Sequence, residues 1–257
     1  DNYTIPPRYV YVKDPWEWDG DFVPTDYYYA GLDGTWNADG DDVYGEDPGD
    51  IDWYPEVIVG RIPVNDNNTL SKVIDMIISF ENYMANKTIL KHAILAGAYY
   101  NYDNDEDGND VKDWDKTDEA KLNYYIMENF LIPHGFTYTR LYEAEGVDPT
   151  DYAYDYPLNI SNMLEAIKNG SLIINMAGHG SPTAIWRKIW VNDTDNDGLA
   201  DEYSSSDGDE HEWVEYLNKT ENISVPNPYY PIIFIEACYT GAFDYYEDSL
   251  AEYLLHN

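Results

Sequence analysis

Short apolar runs alternate with longer amphipathic stretches along the chain from Pro55 onward. Each run is rich in β-branched residues and bounded by Gly or Pro, which is typical of strands buried on both faces of a parallel sheet. The stretches between them repeat apolar residues at helical spacing. The pattern predicts strands at 56–63, 92–98, 136–142, 171–177 and 232–237, and helices at about 69–86, 117–131, 160–168 and from about 246.

This alternation predicts an α/β fold, in which right-handed crossovers build a mostly parallel sheet flanked by helices on both faces. Upstream, residues 8–12 show a strand pattern, and we interpret the polar residues 14–52 as a ligand-bearing loop. We therefore divide the chain into an acidic, loop-rich segment, residues 1–54, and an α/β domain, residues 55–257. The residues that follow strand 171–177 are interpreted as a long insertion.

The charge balance narrows the choice of partners. The chain carries 50 acidic and 14 basic residues, a formal charge of −36, which repels nucleic acid and anionic membranes. Basic peptides and divalent cations are the expected partners. An aromatic content of 16% argues for a folded chain, because disordered acidic chains are poor in aromatic residues.

No apolar run reaches the roughly 18–20 residues that a membrane span needs, and the first residues do not resemble a signal peptide. Export from the cell is nevertheless expected, because the chain contains Asn-x-Ser/Thr triplets, which suit an extracellular protein with surface glycans. They begin at Asn2, Asn67, Asn86, Asn159, Asn192, Asn218 and Asn222.

A thiol and an imidazole follow two of the predicted strands. Cys238, the one cysteine of the chain, ends the strand 232–237, and His179 follows the strand 171–177 within Gly178-His179-Gly180. Parallel strands place their carboxyl ends at one edge of a sheet, where ligands bind in open α/β folds. A histidine beside a cysteine activates the thiol as a nucleophile, and the Gly180 and Cys238 amides could stabilise an oxyanion. The pair predicts a cysteine-nucleophile hydrolase.

The sequence around these residues resembles a known family. Ala237-Cys238 loosely resembles the caspase signature, which has a histidine about 50 residues upstream. The combination is more similar to the gingipain-like cysteine peptidases, peptidase family C25, of the caspase-like clan. It consists of Ala-Gly-His-Gly-Ser at 177–181, Ala237-Cys238 followed by Phe243-Asp244, Glu-Val-Ile-Val-Gly-Arg at 56–61 and Leu-Ala-Gly-Ala at 95–98. The resemblance implies a caspase-like catalytic domain over residues 55–257.

The same resemblance implies roles for individual residues. Cys238 would be the nucleophile, His179 the proton shuttle, and Glu56 the acid that orients or charges His179. Relatives specific for Arg or Lys bind the P1 cation with an acid a short way after that glutamate; here the position is Asn67, and Asp66 is adjacent. We assign substrate binding to Asp66 and Trp186. A helix-start role for Asp66 and a surface role for Glu56 stay open.

An acidic loop between the two active-site segments predicts a calcium site. Alternate carboxylates, a glycine at position 6 and a carbonyl at position 7 suit a cation that prefers six to eight oxygen ligands. The expected ligands are Asp193, Asp195, Asp197, the Leu199 carbonyl, and Asp201 or Glu202. Ser204 occupies the position of the EF-hand glutamate, so the loop is not a true EF-hand.

Two weaker copies of this pattern occur elsewhere. One contains Asp103, Asp105 and Asp107, and the other contains Asn37, Asp39 and Asp41. Solvated acidic loops are the alternative interpretation. Any bound calcium (Ca²⁺) would be structural, because it would relieve repulsion between neighbouring carboxylates.

The sequence therefore predicts a secreted cysteine endopeptidase, acting through a Cys238–His179 dyad, with Arg or Lys expected at P1. The alternative is a calcium-stabilised surface or adhesion module in which Cys238 only packs. The oligomeric state stays open.

Overall fold

The computed structural model describes residues 5–12, 21–46, 49–85, 89–105, 111–202, 208–223, 225, 230–245 and 247–256. The chain divides into two compact units, Asp1–Ser71 and Lys72–Asn257. The predicted division after residue 54 falls within the first of these units.

The first unit contains a two-stranded antiparallel ladder. Strand β1 (Arg8–Val12) has the predicted bounds and pairs with β2 (Asp21–Thr25), so that Val10 lies opposite Val23. A turn of 3-10 helix follows at Tyr27–Tyr29. Part of the segment interpreted as a loop is therefore regular structure.

The strand predicted at 56–63 is wrong. This segment forms no ladder in the described part of the first unit, and the amides of Glu56 and Val57 both donate to the Ala30 carbonyl, at 3.1 and 3.2 Å. The Ile58 side chain is fully exposed to solvent. An apolar, β-branched run has the propensity for a strand, but it becomes one only where a neighbouring backbone offers a matching edge.

Helix α1 (Asn67–Met84) contains the division between the two units. Its start is fixed by Asp66, whose carboxylate accepts the amide N–H groups of Asn68 and Thr69 at 2.8 and 3.0 Å. Such capping satisfies amide groups that have no partner inside the helix. The helix thus begins two residues before the predicted start at residue 69.

The second unit is built around the predicted parallel sheet. Its strands, in chain order, are β3 (His92–Gly97), β4 (Tyr99–Asn101), β5 (Asn104–Asp105), β6 (Thr117–Asp118), β7 (Thr137–Tyr142), β8 (Tyr156–Pro157), β9 (Ile173–Ala177), β10 (His179–Gly180), β11 (Ala184–Trp190), β12 (Ala200–Asp201), β13 (His211–Asn218) and β14 (Ile232–Glu236). Five of them form the central sheet in the order β14-β9-β3-β7-β8, and every neighbouring pair is parallel. The prediction of an α/β fold with a mostly parallel sheet is confirmed.

Helices cover the two faces of this sheet. They are α2 (Ala120–Ile126), which continues as a π-helical turn at Met127–Leu131, α3 (Ile160–Asn169) and α4 (Leu250–His256). Ile94 and Ala96 of β3 pack in one cluster with residues of α3 and α4, whereas Ala93 and Leu95 pack in another with residues of α2. Alternate residues of a strand face opposite sides, so α2 lies on one face and α3 with α4 on the other. Among the described residues, no helix is both long and apolar enough to cross a membrane.

The long insertion is partly a second sheet, which the sequence did not predict. Strands β10, β11 and β13 form a three-stranded antiparallel sheet in that order. The β11 strand is buried at nearly every position, so its sequence lacks the alternation of a half-exposed strand. This sheet begins at His179 and therefore contributes to the surroundings of the predicted base.

Candidate active site

The thiol of Cys238 lies just beyond the end of strand β14. Cys238 is exposed, and Tyr239 adopts a left-handed backbone with a φ of 59°. The Thr240 hydroxyl donates to the Ala237 carbonyl at 3.1 Å, which closes a tight turn. A left-handed non-glycine residue costs on the order of 1 kcal/mol, and such strain is concentrated at functional sites. The turn ends the strand abruptly and leaves the thiol open to solvent.

The histidine segment lies directly against the cysteine segment. Strands β9 and β14 pair in register up to Ala177 and Glu236, and the Gly178 amide donates to the Glu236 carbonyl at 3.1 Å. A β-carbon added at Gly180 would lie 2.7 Å from the Cys238 nitrogen and would collide with the Cys238 carbonyl oxygen. Only glycine allows this approach. The structure therefore places the backbones of Gly180 and Cys238 in contact.

The imidazole of His179 is held by a main-chain hydrogen bond. Its Nε2 lies 2.8 Å from the Tyr100 carbonyl oxygen, which can only accept, so Nε2 carries the proton. The neutral ring then has its lone pair on Nδ1. Burial lowers the pKa of His179 and the Lys188 ammonium lowers it further, against the opposing effect of the Tyr100 carbonyl. His179 is therefore uncharged, and able to accept a proton, at any pH above the ordinary histidine pKa of about 6.5.

Trp186 lies next to His179. The two residues are cross-strand partners in the β10–β11 ladder, so their side chains project from the same face. The indole Nε1 donates to the Ser181 hydroxyl at 3.3 Å. Its part in substrate binding stays a prediction.

Glu56 and Asp66 both belong to the first unit. The Glu56 carboxylate accepts the Leu32 amide at 2.7 Å, and it groups with Asp33 and Asp52. Asp66 caps helix α1, as the open helix-start interpretation proposed. The assignment of Glu56 to His179 and that of Asp66 to the substrate stay predictions.

Sequence reasoning missed two aromatic neighbours of His179. The Tyr100 ring is stacked on the imidazole and Trp213 meets it edge-on, with ring centroids 4.9 and 4.7 Å away. Tyr100 closely follows the buried strand β3, so the rule that assembled Cys238 and His179 at one sheet edge could have found it. Trp213 comes from β13, and the sequence carried no signal for its pairing.

Two carboxylates lie on the α2 side of the sheet near Cys238. Glu236 is exposed and shares its face of β14 with Phe234, whose partner on β9, Asn175, donates to Asn123 of α2 at 3.0 Å. The pKa of Glu119, just before α2, is raised by burial and then by the nearby Glu236 charge. Neither acid was predicted as a site residue.

The first predicted calcium loop brings three of its carboxylates together. One oxygen from each of Asp193, Asp195 and Asp197 lies within 4.8 Å of the others. Asn196 and Gly198 adopt left-handed backbones, with φ of 66° and 83°, which fold the loop sharply. Asp193 Oδ1 is buried without a hydrogen-bond partner, and an oxygen of this kind is an available ligand for a hard cation.

The other predicted ligands are more dispersed. Asp201 lies in β12, the Leu199 amide donates to Asp197, Glu202 forms an ion pair with Lys188, and Asp105 is buried in β5. Asp103 accepts the Lys116 amide at 2.7 Å, and Asp107 lies outside the described residues. In the third loop Asn37 accepts the Gly40 amide, while Asp39 and Asp41 group with Glu46, which was not predicted.

The sequence profile described as "Peptidase family C25" matches residues 1–257, the whole chain. The chain belongs to peptidase family C25. No curated protein is similar enough to count as a match.

Two solved structures resemble this C25 chain. One is the Arg specific cysteine proteinase gingipain R, at 18% identity and a TM-score of 0.44, covering 78% of this chain and 38% of that chain. The other is a complex of Porphyromonas gingivalis RgpB pro- and mature domains, at 20% identity and a TM-score of 0.48, covering 79% of this chain. The C25 chain spans 38% of the length of each.

Proposed function

We propose that this C25 chain is a cysteine endopeptidase with Cys238 as the nucleophile and His179 as the base. The observation that carries the proposal is the contact between the Gly180 and Cys238 backbones, which joins the ends of β9 and β14. Membership of a peptidase family supports it independently. An exposed thiol and a neutral histidine are the two groups that thiol-mediated acyl transfer needs.

The proposed reaction uses the unprotonated nitrogen of His179, which is Nδ1. Nδ1 of His179 takes the thiol proton, and the thiolate attacks the peptide carbonyl to form a tetrahedral oxyanion, which the Gly180 and Cys238 amides stabilise. Collapse breaks the C–N bond as Nδ1–H protonates the leaving amine. Water, deprotonated by Nδ1, then attacks the thioester and releases the carboxylic acid and the free thiol.

Substitution of the nucleophile tests this mechanism. Cys238→Ala should abolish turnover of a peptide-amide substrate, because no other thiol exists in the chain. Iodoacetamide should label Cys238 of the native protein rapidly at neutral pH, and His179→Ala should slow that labelling. Undiminished turnover by Cys238→Ala would eliminate the mechanism. Slow labelling that needs denaturant would favour the alternative of a non-catalytic surface module.

A basic P1 residue is the proposed specificity. The formal charge of −36 favours cationic substrates in general, and Glu236 puts an exposed carboxylate two residues before the nucleophile. The Glu236 charge lies close enough to Glu119 to help burial raise the pKa of Glu119. A P1 panel should show preference for Arg and Lys, and Glu236→Gln should reduce that preference with less effect on an apolar P1. Equal cleavage after Arg, Leu and Asp would refute it.

We also propose that the loop containing Asp193, Asp195 and Asp197 binds Ca²⁺ as a structural ion. The support is the convergence of three carboxylates and the buried Oδ1 of Asp193 that has no hydrogen-bond partner. Calorimetric titration should detect Ca²⁺ binding, which Asp195→Asn weakens, and Ca²⁺ should raise the melting temperature of the wild type. The matched control is Asp244→Asn, which should leave the titration unchanged. Absence of heat and of a thermal shift would refute the site.

An extracellular location is the last element of the proposal. Its support is that the sequon asparagines Asn192 and Asn222 are exposed. Asn218 is unsuitable, because it is buried and its Nδ2 donates to Glu215 at 2.6 Å. Expression through a eukaryotic secretory pathway should add glycans at Asn222 and not at Asn218, read from the glycosidase-sensitive mass of the Asn222→Gln and Asn218→Gln variants. The reverse pattern would contradict it.

A further inference from the structure

Two aromatic rings from different strands contact the imidazole of His179, the proposed general base. Tyr100 of β4 is stacked on His179 of β10, with an interplanar angle of 11° and centroids 4.9 Å apart. Trp213 of β13 approaches the same imidazole at 82°, with centroids 4.7 Å apart. Both arrangements are among the favourable geometries for aromatic pairs.

Each neighbour restricts a different motion of the imidazole. The Tyr100 carbonyl fixes the direction of Nε2–H, and the Tyr100 ring lies against one face of the imidazole. A rotation of the ring about its Cβ–Cγ bond would lose the hydrogen bond and the stacking together. Trp213 meets the imidazole edge-on, so one nearly parallel and one nearly perpendicular ring contact the imidazole and restrict its plane.

Trp213 is itself held by its neighbours. It is the cross-strand partner of Lys188 in the β11–β13 ladder, and the Lys188 ammonium lies 5.7 Å from the Trp213 ring centroid. Lys188 is buried and paired with Glu202, so the indole contacts both a fixed cation and the imidazole. A side chain restrained by two neighbours can transmit its position to His179.

We propose that Trp213 and the Tyr100 ring are positioning residues that clamp the His179 imidazole, so that Nδ1 stays directed to the substrate side of the dyad. The inference rests on the proposed peptidase function and deepens it by identifying what orients the base. The antiparallel sheet that follows β9 thereby acquires a role in the reaction, since β13 supplies one half of the clamp.

The test compares a truncating with a conservative substitution. Trp213→Ala should lower kcat about tenfold with KM within about twofold, because an aromatic contact of this kind biases the orientation of its partner by up to about tenfold. Trp213→Phe keeps an aromatic edge and should restore most of kcat. Tyr125→Ala is the matched control, since it removes a similar edge-on contact, to Phe130 of the π-helical turn. Its kcat should match the wild type.

The pH profile separates positioning from general destabilisation. Burial lowers the pKa of His179, Lys188 lowers it further, and the Tyr100 carbonyl opposes both. Removing the indole admits water, so the acidic limb of kcat/KM should move to higher pH in Trp213→Ala and stay in place in Tyr125→Ala. The clamp would be overturned if Trp213→Ala lost tenfold in kcat while the acidic limb of its kcat/KM profile stayed in place and Trp213→Phe restored no activity.

Nuclear magnetic resonance of the protein labelled with ¹⁵N-histidine tests the clamp without an activity measurement. The wild type should show His179 protonated at Nε2, and Trp213→Ala should show exchange between tautomers. Identical His179 spectra in the two proteins would overturn the inference. If the wild type cleaved no peptide while these spectra differed as expected, the clamp would stand and the proposed function would fail.

Discussion

A methyl group added at Gly180 offers the sharpest test of how the candidate active site is assembled. The added β-carbon would lie 2.7 Å from the Cys238 nitrogen and 2.9 Å from the Ala237 carbonyl carbon, and both of these atoms belong to the backbone. Backbone cannot rotate away as a long side chain can, so β10 and the cysteine turn must separate. Overpacking of this kind costs about 1–3 kcal/mol of folding stability.

The functional cost of Gly180→Ala should be larger than its cost in stability. Separation moves the two amides that are proposed to bind the oxyanion, and the loss of one such donor lowers kcat about 10²–10³-fold. Gly241→Ala is the control, because a β-carbon there meets nothing within 4 Å and the substitution lies just three residues from the proposed nucleophile, Cys238.

The assay is kcat and KM on a fluorogenic peptide, with urea unfolding in parallel. Gly180→Ala should lose at least about 100-fold in kcat while it remains folded, and Gly241→Ala should stay within about twofold of the wild type. If Gly180→Ala kept wild-type kcat, the close approach of the two segments would be wrong. Equal losses in both variants would show that the cysteine turn, and not the contact, is sensitive.

Two further predictions concern the scaffold. Arg187→Ala should lower the free energy of unfolding, measured in urea, by about 3–5 kcal/mol, because it removes the cation that pairs with the fully buried Glu143 at 2.9 Å. Lys168→Ala is the control, since it breaks an exposed ion pair with Glu165 and should cost under about 0.5 kcal/mol. Equal costs in the two variants would contradict the prediction. Burial, then Lys188, lowers the pKa of His211 to about 4. This folded pKa lies below the unfolded value, so the contribution of neutral His211 to the free energy of unfolding is fully present above pH 6.5. That contribution falls by on the order of 2–3 kcal/mol as the pH drops towards 4. His211→Gln should flatten that decline in urea titrations at pH 7 and pH 4.5, and parallel profiles would refute the assignment.

The sequence was sufficient for the parts of the fold that local pattern decides. Four of the predicted strands lie in the central sheet, because short β-branched runs flanked by Gly or Pro have few other stable environments. Helix α3 was predicted almost to the residue from its apolar spacing and from Gly170, which follows its end; the structure shows that Asn159 caps it by accepting the Asn162 amide. The segment 56–63 has the same local pattern and is not a strand, because its fate depends on a pairing partner elsewhere in the chain.

The candidate site shows the same limit. Cys238 and His179 could be predicted as neighbours because a parallel sheet aligns the carboxyl ends of its strands. The structure brings the backbones of Gly180 and Cys238 into contact, and the dyad of the two side chains stays a prediction. Trp213 could not be found, because its position depends on the antiparallel register that pairs it with Lys188. The place of Tyr100 after β3 could have suggested that it lies at this edge, but the acceptor for His179 is its main-chain carbonyl, and a carbonyl gives no residue-specific signal of this hydrogen bond.

The central sheet and the strands outside it contribute differently to the proposed dyad. Strands β9 and β14 are neighbours in the central sheet, so the distance between the cysteine and histidine segments is set by a backbone ladder that is costly to disturb. The orientation of the imidazole depends instead on side chains and a carbonyl from β4 and β13, which lie outside that sheet. Substitutions at Trp213 should therefore change turnover while Cys238 stays equally exposed, whereas substitutions at Gly180 should alter both. Iodoacetamide labelling at a pH high enough to ionise the thiol without His179 reports the exposure of Cys238 alone. Measuring that labelling and kcat in the two variants separates the distance from the orientation, and equal changes in labelling for Trp213→Ala and Gly180→Ala would contradict the separation.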